Sequence, residues 1–363
     1  MAHVVVIEDS LSRGLYPVTL TKRASQISIG GVSLEGCLSL LFKAGDISFK
    51  TSSKEEPAWK VDSNAVYINA RLVPVVGIIK EIVASALKGK TSVKQYPIFK
   101  YPWDIVKYHL EYCNENIGYL SGFHEPLKKH KKVFVGQKSF IDSYAVFDTT
   151  DGPIVLDKQV SVEAYAVLRG PLYLGPGTTI KAGAVIGPSV TTGEQVKLGG
   201  EVAESVVESF TNKAHYGFIG HSYVGSWVNI GGGTSNSDLK NTYGSVRVKI
   251  GKKKIDTDMQ FFGTIIGDYA KTAVNTAIYT GKLVGVGASC YGIISENVPS
   301  FSHATPKGLY EFKLEAALKM QQRMFERRNK EAAKEDKELL KSVFEKTKKD
   351  RKDFGVKKKQ VEF

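Results

Sequence analysis

The sequence contains few cysteines and no long apolar run. Only three of its 363 residues are cysteine, Cys37, Cys113 and Cys290, and no two of them form a Cys-X-X-Cys pair. This spacing disfavours a disulfide framework and a zinc ribbon. No apolar stretch reaches the ~18 residues that a membrane-spanning helix needs, and Glu8 and Asp9 interrupt the N-terminus before a signal-type segment forms. We therefore expect a cytoplasmic protein with no membrane partner.

The charge of the chain is basic but is not arranged as in a nucleic-acid-binding protein. The formal net charge is +13, and residues 311–363 contribute 17 Lys and Arg against 11 Asp and Glu. The sequence disfavours nucleic-acid binding, because no basic stretch is interleaved with stacking aromatics and no recognisable nucleic-acid-binding module is present. Small anions such as sugar phosphates, nucleotides and coenzyme A remain suitable ligands.

Glycine divides the chain into three regions. Residues 1–132 hold 9 glycines, residues 133–300 hold 24, and residues 301–363 hold 2. The last region is rich in Glu, Lys, Ala and Leu, with apolar residues at helical spacing from about 308 to 352. The composition predicts an N-terminal domain over 1–132, a repeat domain over 133–300 and a basic helical tail over 301–363.

The middle region repeats every six residues. Leu156 begins a series at six-residue steps that is apolar at all but one position, and a second series of mostly small or β-branched residues lies four positions later. A step of six scatters positions around an α-helix but keeps them on one face of a strand. The first series comprises Leu156, Val162, Leu168, Leu174, Ile180, Ile186, Thr192 and Leu198. The repeat predicts a parallel β-helix of about five coils, with residues 236–261 as a loop that leaves the solenoid.

Spacing alone does not set the handedness of this solenoid, and parallel crossover connections are right-handed by default. The form [LIV]-G-X-X-[STAV]-X, however, resembles the left-handed β-helix of hexapeptide acyltransferases. The resemblance implies triangular coils, a homotrimer, and acetyl-CoA bound in a groove between two subunits. It also implies a histidine that acts as the general base on the acceptor amine.

One segment carries the closest resemblance. The run from Asn212 to Gly220, Asn-Lys-Ala-His-Tyr-Gly-Phe-Ile-Gly, and the run Asn-Ile-Gly-Gly-Gly-Thr that begins at Asn229 resemble the acetyltransferase part of the GlmU-like enzymes of UDP-N-acetylglucosamine synthesis. Together with Gln260-Phe261-Phe262-Gly263 and Asn275-Thr276, they resemble a short, divergent branch of that family. The resemblance implies that His215 is catalytic. It implies substrate or acetyl-CoA binding by Lys213, Asn229, Asn241, Tyr243 and Asn275. A carbonic-anhydrase interpretation of the same fold would need three zinc histidines, and no third one accompanies His215 and His221.

The N-terminal region resembles a sugar-1-phosphate nucleotidyltransferase in reduced form. A β-type run ending at Glu8 leads into a basic loop, although the Gly-X-Gly of that family is replaced by Asp9-Ser10-Leu11-Ser12. The resemblance implies nucleotide binding by Arg13, Thr19, Lys22 and Arg23, with Asp9 as a ligand of the Mg²⁺ that nucleotidyl transfer uses.

The resemblance implies synthesis of UDP-N-acetylglucosamine by two reactions. They are acetyl transfer from acetyl-CoA to glucosamine-1-phosphate and uridylyl transfer from UTP to the product. Two alternatives stay open. The first is an enzyme with another nucleotide or sugar phosphate, such as dTTP with glucose-1-phosphate. The second is a non-catalytic assembly or regulatory protein of the same architecture.

Overall fold

A computed structural model describes residues 3–61, 65–88, 95–359 and 361. Within these ranges the chain forms an N-terminal α/β domain, a long solenoid and a group of C-terminal helices. Cys37, Cys113 and Cys290 are free and buried. No helix of the described part is long and apolar enough to cross a membrane.

The N-terminal domain is built on a mixed four-stranded sheet. In chain order its strands and helices are β1 (His3–Glu8), β2 (Ser28–Ile29), β3 (Val32–Ser33), α1 (Leu34–Leu41), β4 (Ile47–Thr51), β5 (Trp59–Val61), β6 (Ala65–Asn69), α2 (Val76–Leu87) and α3 (Asp104–Ser121). The sheet order is β4-β1-β6-β5, in which β1 pairs in parallel with β4 and β6. β5 is antiparallel to β6, and β2 and β3 form a separate hairpin. The apolar run of β1 is buried on both faces, as expected for a central strand.

The solenoid has three faces, named A, B and C in the order in which each coil passes through them. Face A is the longest sheet. Its parallel strands are Val133–Val135, Ile154–Leu156, Leu172–Leu174, Val190–Thr192, Ser205–Val207, Tyr223–Val224, Thr264–Ile266 and Lys282–Val284, and Glu125–Pro126 pairs antiparallel at its start.

Faces B and C complete each coil. The strands of face B are Phe140–Ile141, Ser161–Val162, Thr179–Ile180, Lys197–Leu198, Asn212–Lys213, Lys271–Thr272, Ser289–Cys290 and Ser302–Thr305, and Gly308–Glu311 ends the sheet as an antiparallel strand. The strands of face C are Val146–Asp148, Val167–Arg169, Val185–Ile186, Glu201–Ala203, Phe218–Gly220, Ser235–Asn236, Ala277–Ile278 and Ile293–Ile294. Single parallel bridges from Asn212 to Asn229 and from Asn229 to Lys271 keep face B continuous.

The interior of the solenoid is filled by the residues of the hexad series. From Leu156 to Leu198 every position of the first series is buried, and so is every position of the second. The fold class is confirmed as an α/β domain followed by a left-handed parallel β-helix and C-terminal helices. The expected five coils were too few, because face A has eight parallel strands in the described part of the chain. The additional coils have irregular lengths or less regular hexads.

The segment between the strands at 235–236 and 264–266, which includes the expected loop 236–261, is not an open loop. It contains an antiparallel hairpin of Arg247–Ile250 with Lys253–Asp256. Val248 and Phe262 are buried in the same apolar cluster as the N-terminal domain and face A. The segment therefore folds back and covers the outer side of face A.

The other parts of the chain cover face A and the edge between faces A and B. Helix α3 packs along face A, where Val155 and Tyr173 meet Cys113 and Ile117. The C-terminal helices are α4 (Leu314–Glu326), α5 (Lys334–Lys346) and α6 (Lys348–Asp353). They form an apolar cluster with the residues at the A–B edge, among them Trp227, Tyr269, Val286 and Phe301. Neither the N-terminal domain nor these helices contribute to the sheet of face C.

Candidate active site

His215 lies on the edge between faces B and C. It is exposed and stands in the turn that joins the strand Asn212–Lys213 to the strand Phe218–Gly220. The turn is narrow because Gly217 has φ of 120°, and a Cβ there would overlap the carbonyl oxygen of Thr234 on the next coil. The imidazole therefore projects from a fixed turn into solvent.

Lys213 holds this turn from inside the solenoid. Its side chain points inward at a position that Leu198 occupies in the preceding coil. Nζ donates hydrogen bonds to the carbonyl oxygens of Gly199 at 2.7 Å and His215 at 2.8 Å. Burial lowers the pKa of this ammonium to about 8, and Glu201 opposes the shift. The buried cation, bonded to the carbonyl oxygen of His215, fixes the backbone of the histidine.

The neighbouring coils bring polar groups to the same edge. The hydroxyl of Tyr216 donates to Oδ1 of Asn275 at 3.5 Å, and the N–H of Gly233 donates to the carbonyl oxygen of Tyr216 at 2.8 Å. A Cβ placed on Gly232 would lie 3.4 Å from that of His215, which places the Gly232 backbone against the histidine. His215 and Asn275 are thus gathered at one edge.

Asn229 lies further back on face B. Its Oδ1 accepts a hydrogen bond of 2.9 Å from Nδ2 of Asn212, and both residues line a cavity of ≈ 320 Å³ between face B and the end of α4. Extended strands rise by ~3.3 Å per residue. Asn212 precedes His215 by three residues, so the Cα atoms of these two residues are at most about 10 Å apart. The cavity includes residues of α4 that the hexad pattern does not reveal.

A second histidine lies on the opposite edge of face C. Nδ1 of His221 and Oδ2 of Asp238 are 2.8 Å apart, and the imidazole stacks on Phe261 with ring centroids 5.2 Å apart. Burial raises the pKa of the nearby Glu204 carboxyl, and the charge of His221 opposes this effect. Sequence reasoning missed Asp238, because it belongs to the next coil and its pairing with His221 needs the three-dimensional register. His221, unlike His215, has a carboxylate that can orient it.

Asn241 and Tyr243 are not brought to His215 within one chain. Both lie in the segment that leaves the solenoid after Asn236, and Tyr243 is 68% exposed. The carbonyl oxygen of Tyr243 accepts a hydrogen bond from Nε2 of Gln260 at 2.8 Å. Since this segment leaves face C on the His221 side, a role for Asn241 or Tyr243 beside His215 would require a second copy of the chain.

The sequence is distantly similar to known bifunctional enzymes. It is 30% identical over 119 residues to the bifunctional sugar-1-phosphate nucleotidylyltransferase/acetyltransferase of Sulfurisphaera tokodaii, an alignment that covers 33% of this chain and 27% of that protein. It is 28% identical over 137 residues to the bifunctional protein GlmU of Thermotoga maritima, covering 38% of this chain and 26% of that protein. The chain thus aligns with little more than a quarter of each relative. No protein-family profile matches it.

Solved structures give weaker likenesses. The UDP-N-acetylglucosamine acyltransferase of Francisella novicida aligns with 60% of this chain and 87% of its own, at 14% identity and a TM-score of 0.36. The acetyltransferase domain of PglB from Neisseria gonorrhoeae aligns at 13% identity and a TM-score of 0.21. Likenesses of this size carry no argument about function, and the fold rests on the strand pairing described above. The chain therefore combines a six-residue repeat solenoid with distant sequence similarity, over about a third of its length, to GlmU-like bifunctional proteins.

Three of the four residues that the GlmU-like resemblance assigns to nucleotide binding are engaged in other contacts. Lys22 is buried against the solenoid, where Nζ donates to the hydroxyl of Tyr223 at 3.0 Å and lies within 4 Å of Glu208 and Asp268. Arg23 makes a two-pronged ion pair with Glu35, at 2.9 and 3.0 Å. Arg13 is exposed, and the hydroxyl of Thr19 donates to the carbonyl oxygen of Ser12 at 2.8 Å. Lys22 and Arg23 therefore tie structural elements together.

Asp9 has a structural role in place of the metal-binding role expected for it. Its carboxylate is buried and accepts hydrogen bonds from Nε of Arg71 at 2.8 Å, Nη2 of Arg71 at 2.7 Å and Nδ2 of Asn69 at 3.0 Å. Backbone N–H groups of Leu11 and Glu56 also donate to it. Burial alone would raise the pKa of Asp9, but the bonds from Arg71 and Asn69 outweigh it and the pKa is lowered. With both oxygens occupied, Asp9 does not fit a Mg²⁺ ligand, and the described residues contain no cluster of three metal-ligating side chains.

Proposed function

We propose that the protein transfers an acetyl group from acetyl-CoA to the amine of glucosamine-1-phosphate, with His215 as the general base. The observation that carries the proposal is the position of His215. It is exposed at a solenoid edge, its backbone is held by the buried Lys213, and the Gly232 backbone lies beside it. The similarity to acetyltransferases with GlmU-like sequences supports the choice of substrates.

The chemistry requires one proton transfer and one stabilised oxygen. The amine nitrogen attacks the carbonyl carbon of the thioester while His215 takes a proton from that nitrogen. Collapse of the tetrahedral intermediate breaks the C–S bond, and the proton passes to the departing thiolate. Developing negative charge on the carbonyl oxygen needs a donor. The N–H of Gly232 has no acceptor among the described residues, and the Gly232 backbone packs beside the His215 side chain, so we assign this N–H the role.

His221 is the second candidate for the base. Its pairing with Asp238 is the arrangement that orients a catalytic imidazole and stabilises its protonated form. The two histidines lie on opposite edges of face C, so one chain cannot use both on the same substrate molecule. The proposal favours His215 because the motif around it matches the acetyltransferase pattern.

Uridylyl transfer from UTP is the other half of the expected function. The N-terminal domain does not fit that reaction, because Asp9 is saturated by hydrogen bonds and Lys22 and Arg23 are already paired with carboxylates. We therefore restrict the proposal to acetyl transfer, and no step is assigned to Mg²⁺ or to a nucleotide such as UTP or dTTP.

The proposal includes a homotrimer. The N-terminal domain covers face A and the C-terminal helices cover the A–B edge, whereas face C and the B–C edge carry exposed apolar side chains. These include Tyr144, Val146, Tyr165, Tyr216, Val274, Tyr279 and Ile293. Packing of face C against a second copy would bury them, and would place groups of that copy beside His215.

The test measures release of the coenzyme A thiol. Purified protein with acetyl-CoA and glucosamine-1-phosphate should release thiol, and His215→Ala should lower the rate by ~10²- to 10⁴-fold, the range for loss of a general base. His221→Ala is the matched control and should retain the rate. If His221→Ala loses the rate and His215→Ala retains it, His221 is the general base. If thiol is not released from any amino-sugar phosphate, the non-catalytic alternative replaces the proposal. A parallel pyrophosphate assay with UTP and with dTTP tests the N-terminal domain.

A further inference from the structure

The cavity beside Asn212 and Asn229 is lined by four basic side chains. Lys197 and Lys271 project outward from two strands of face B, with Asn212 and Asn229 between them in the sheet, and Arg327 and Arg328 directly follow the C-terminal end of α4. The volume of ≈ 320 Å³ is within the range of small-molecule sites. The four cations come from three separate segments of the chain, which the fold brings to one place.

These cations lack carboxylate partners. Among the described residues no ion pair is formed by Lys197, Lys271, Arg327 or Arg328, although the other ion pairs of the protein are numerous. Nζ of Lys271 donates only to the carbonyl oxygens of Trp227 and Tyr269, each at 3.3 Å. Burial lowers the pKa of Lys271 to about 7. Burial and then the charges of Arg328 and Arg327 lower the pKa of Lys197. Charges of one sign around a concave surface raise the local concentration of an anion.

The position of the arginines has a simpler partial explanation. Cations at the C-terminal end of a helix interact favourably with the helix dipole. That effect accounts for Arg327 and Arg328, which directly follow α4, but it does not require lysines on the facing sheet. The apolar cluster also docks α4 without them, since Trp227 stacks between Phe210 and Phe325 with ring centroids 4.4 and 4.3 Å away. Lys271 fixes the backbone at the A–B edge through its two carbonyl bonds, but no ion pair or side-chain hydrogen bond among the described residues explains why Lys197, Arg327 and Arg328 converge on it.

We infer that this cavity binds the phosphate groups of a substrate. Arginine recognises phosphate through paired N–H donors, and lysine adds a point charge. Nδ2 of Asn212 is engaged by Asn229, which leaves the Asn229 amide group and the Asn212 carbonyl to contact the rest of the ligand. The cavity opens on the same face as the strand that leads to His215. This inference rests on the proposed function for its substrates. The phosphate could belong to coenzyme A or to the sugar phosphate.

Calorimetric titration of the full-length protein separates these two sources. The probes are coenzyme A, pantetheine, glucosamine-1-phosphate and inorganic pyrophosphate. The test variant is Arg327→Gln/Arg328→Gln. The matched control is Arg323→Gln, because Arg323 is exposed on the same helix, one turn earlier, and does not line the cavity. Thermal unfolding and circular dichroism establish that each variant is folded.

Pyrophosphate and one of the two substrates should bind to the wild-type protein and to Arg323→Gln, more weakly as salt is added. Their dissociation constants should rise by roughly tenfold or more in the double variant, because two charge-assisted contacts are lost. Pantetheine, which has no phosphate, should be unaffected. A higher dissociation constant for coenzyme A in the double variant identifies the acetyl-CoA substrate as the ligand of the cavity. A higher dissociation constant for glucosamine-1-phosphate identifies the sugar phosphate.

The two proposals can fail independently. Unchanged dissociation constants for every probe in the folded double variant, or no binding of any phosphate probe to the wild-type protein, would overturn the cavity assignment even if thiol release depends on His215. Absence of thiol release, with pyrophosphate binding that still requires Arg327 and Arg328, would overturn the proposed function and leave the phosphate site in place. His215→Ala should bind the phosphate probes like the wild-type protein.

Discussion

At the scale of single residues, Asp9 shows why residue type and position do not define a role. The sequence places an acidic residue after a buried strand, where a metal ligand would be expected, and the fold supplies Arg71 from a position 62 residues later. Both side chains are almost completely buried, and the carboxylate accepts five hydrogen bonds at 3.2 Å or less. Because Arg71 is distant in sequence, only the parallel pairing of β1 with β6 reveals this partner.

We expect Asp9→Asn to destabilise the protein by about 3–5 kcal/mol, because it leaves a buried guanidinium unpaired. Unfolding in guanidinium chloride should show the same loss of stability with and without Mg²⁺. Glu35→Gln removes the partially exposed partner of Arg23 and should cost less than about 1 kcal/mol. Since the folded-state pKa of Asp9 is lowered, its contribution is present above the ordinary pKa and disappears as the pH falls through the folded value. A loss that appears only with Mg²⁺ present would instead make Asp9 a metal ligand.

At the scale of elements, the hexads could be predicted because each inward position faces only its neighbours in adjacent coils. Leu156 and Leu174, 18 residues apart, occupy the same position in successive coils. The hairpin of Arg247–Ile250 and Lys253–Asp256 was missed, although alternation of Val248 and Ile250 before Gly251 is a hairpin signal. Lysines on both sides of Gly251 make this alternation of apolar residues hard to recognise. The docking of α4 was beyond prediction, because its partners lie about 100 residues earlier.

Trp227 is one of the solenoid residues that contact α4. It is stacked between Phe210 and Phe325 and is 9% exposed. We expect Trp227→Ala to cost about 3–5 kcal/mol in this cluster, and to release the C-terminal helices before the solenoid unfolds. Hydrogen exchange should then show lost protection in α4 and α5 with face A unchanged. The matched control Arg323→Ala lies on the exposed side of α4 and should leave the stability and the exchange protection of the C-terminal helices unchanged. Uniform loss of protection across the solenoid would contradict this local role.

At the scale of the whole molecule, the sequence predicted the order of the three parts but not how they cover one another. The N-terminal domain packs on face A through residues such as Val155 and Tyr173, which the hexad series does not distinguish from other outward positions. The basic cavity likewise joins Lys197, Lys271 and Arg327, which are separated by 56 residues or more. Face C and the B–C edge remain uncovered. This can be recognised only when the N-terminal domain and the C-terminal helices have been placed on the other surfaces.

That uncovered surface carries the last prediction. Tyr165 on the B–C edge is 65% exposed and stacks on Tyr144, and Ile293 on face C is 66% exposed. If these side chains are buried between copies, Tyr165→Glu/Ile293→Glu should convert a trimer to monomers in analytical ultracentrifugation, because burying unpaired carboxylates is costly. Leu40→Glu, 55% exposed on α1, is the matched control and should stay trimeric. If the wild-type protein sediments as a monomer, the proposed trimer is wrong. Monomers from the double variant that release thiol at the wild-type rate would show that His215 acts with groups of its own chain.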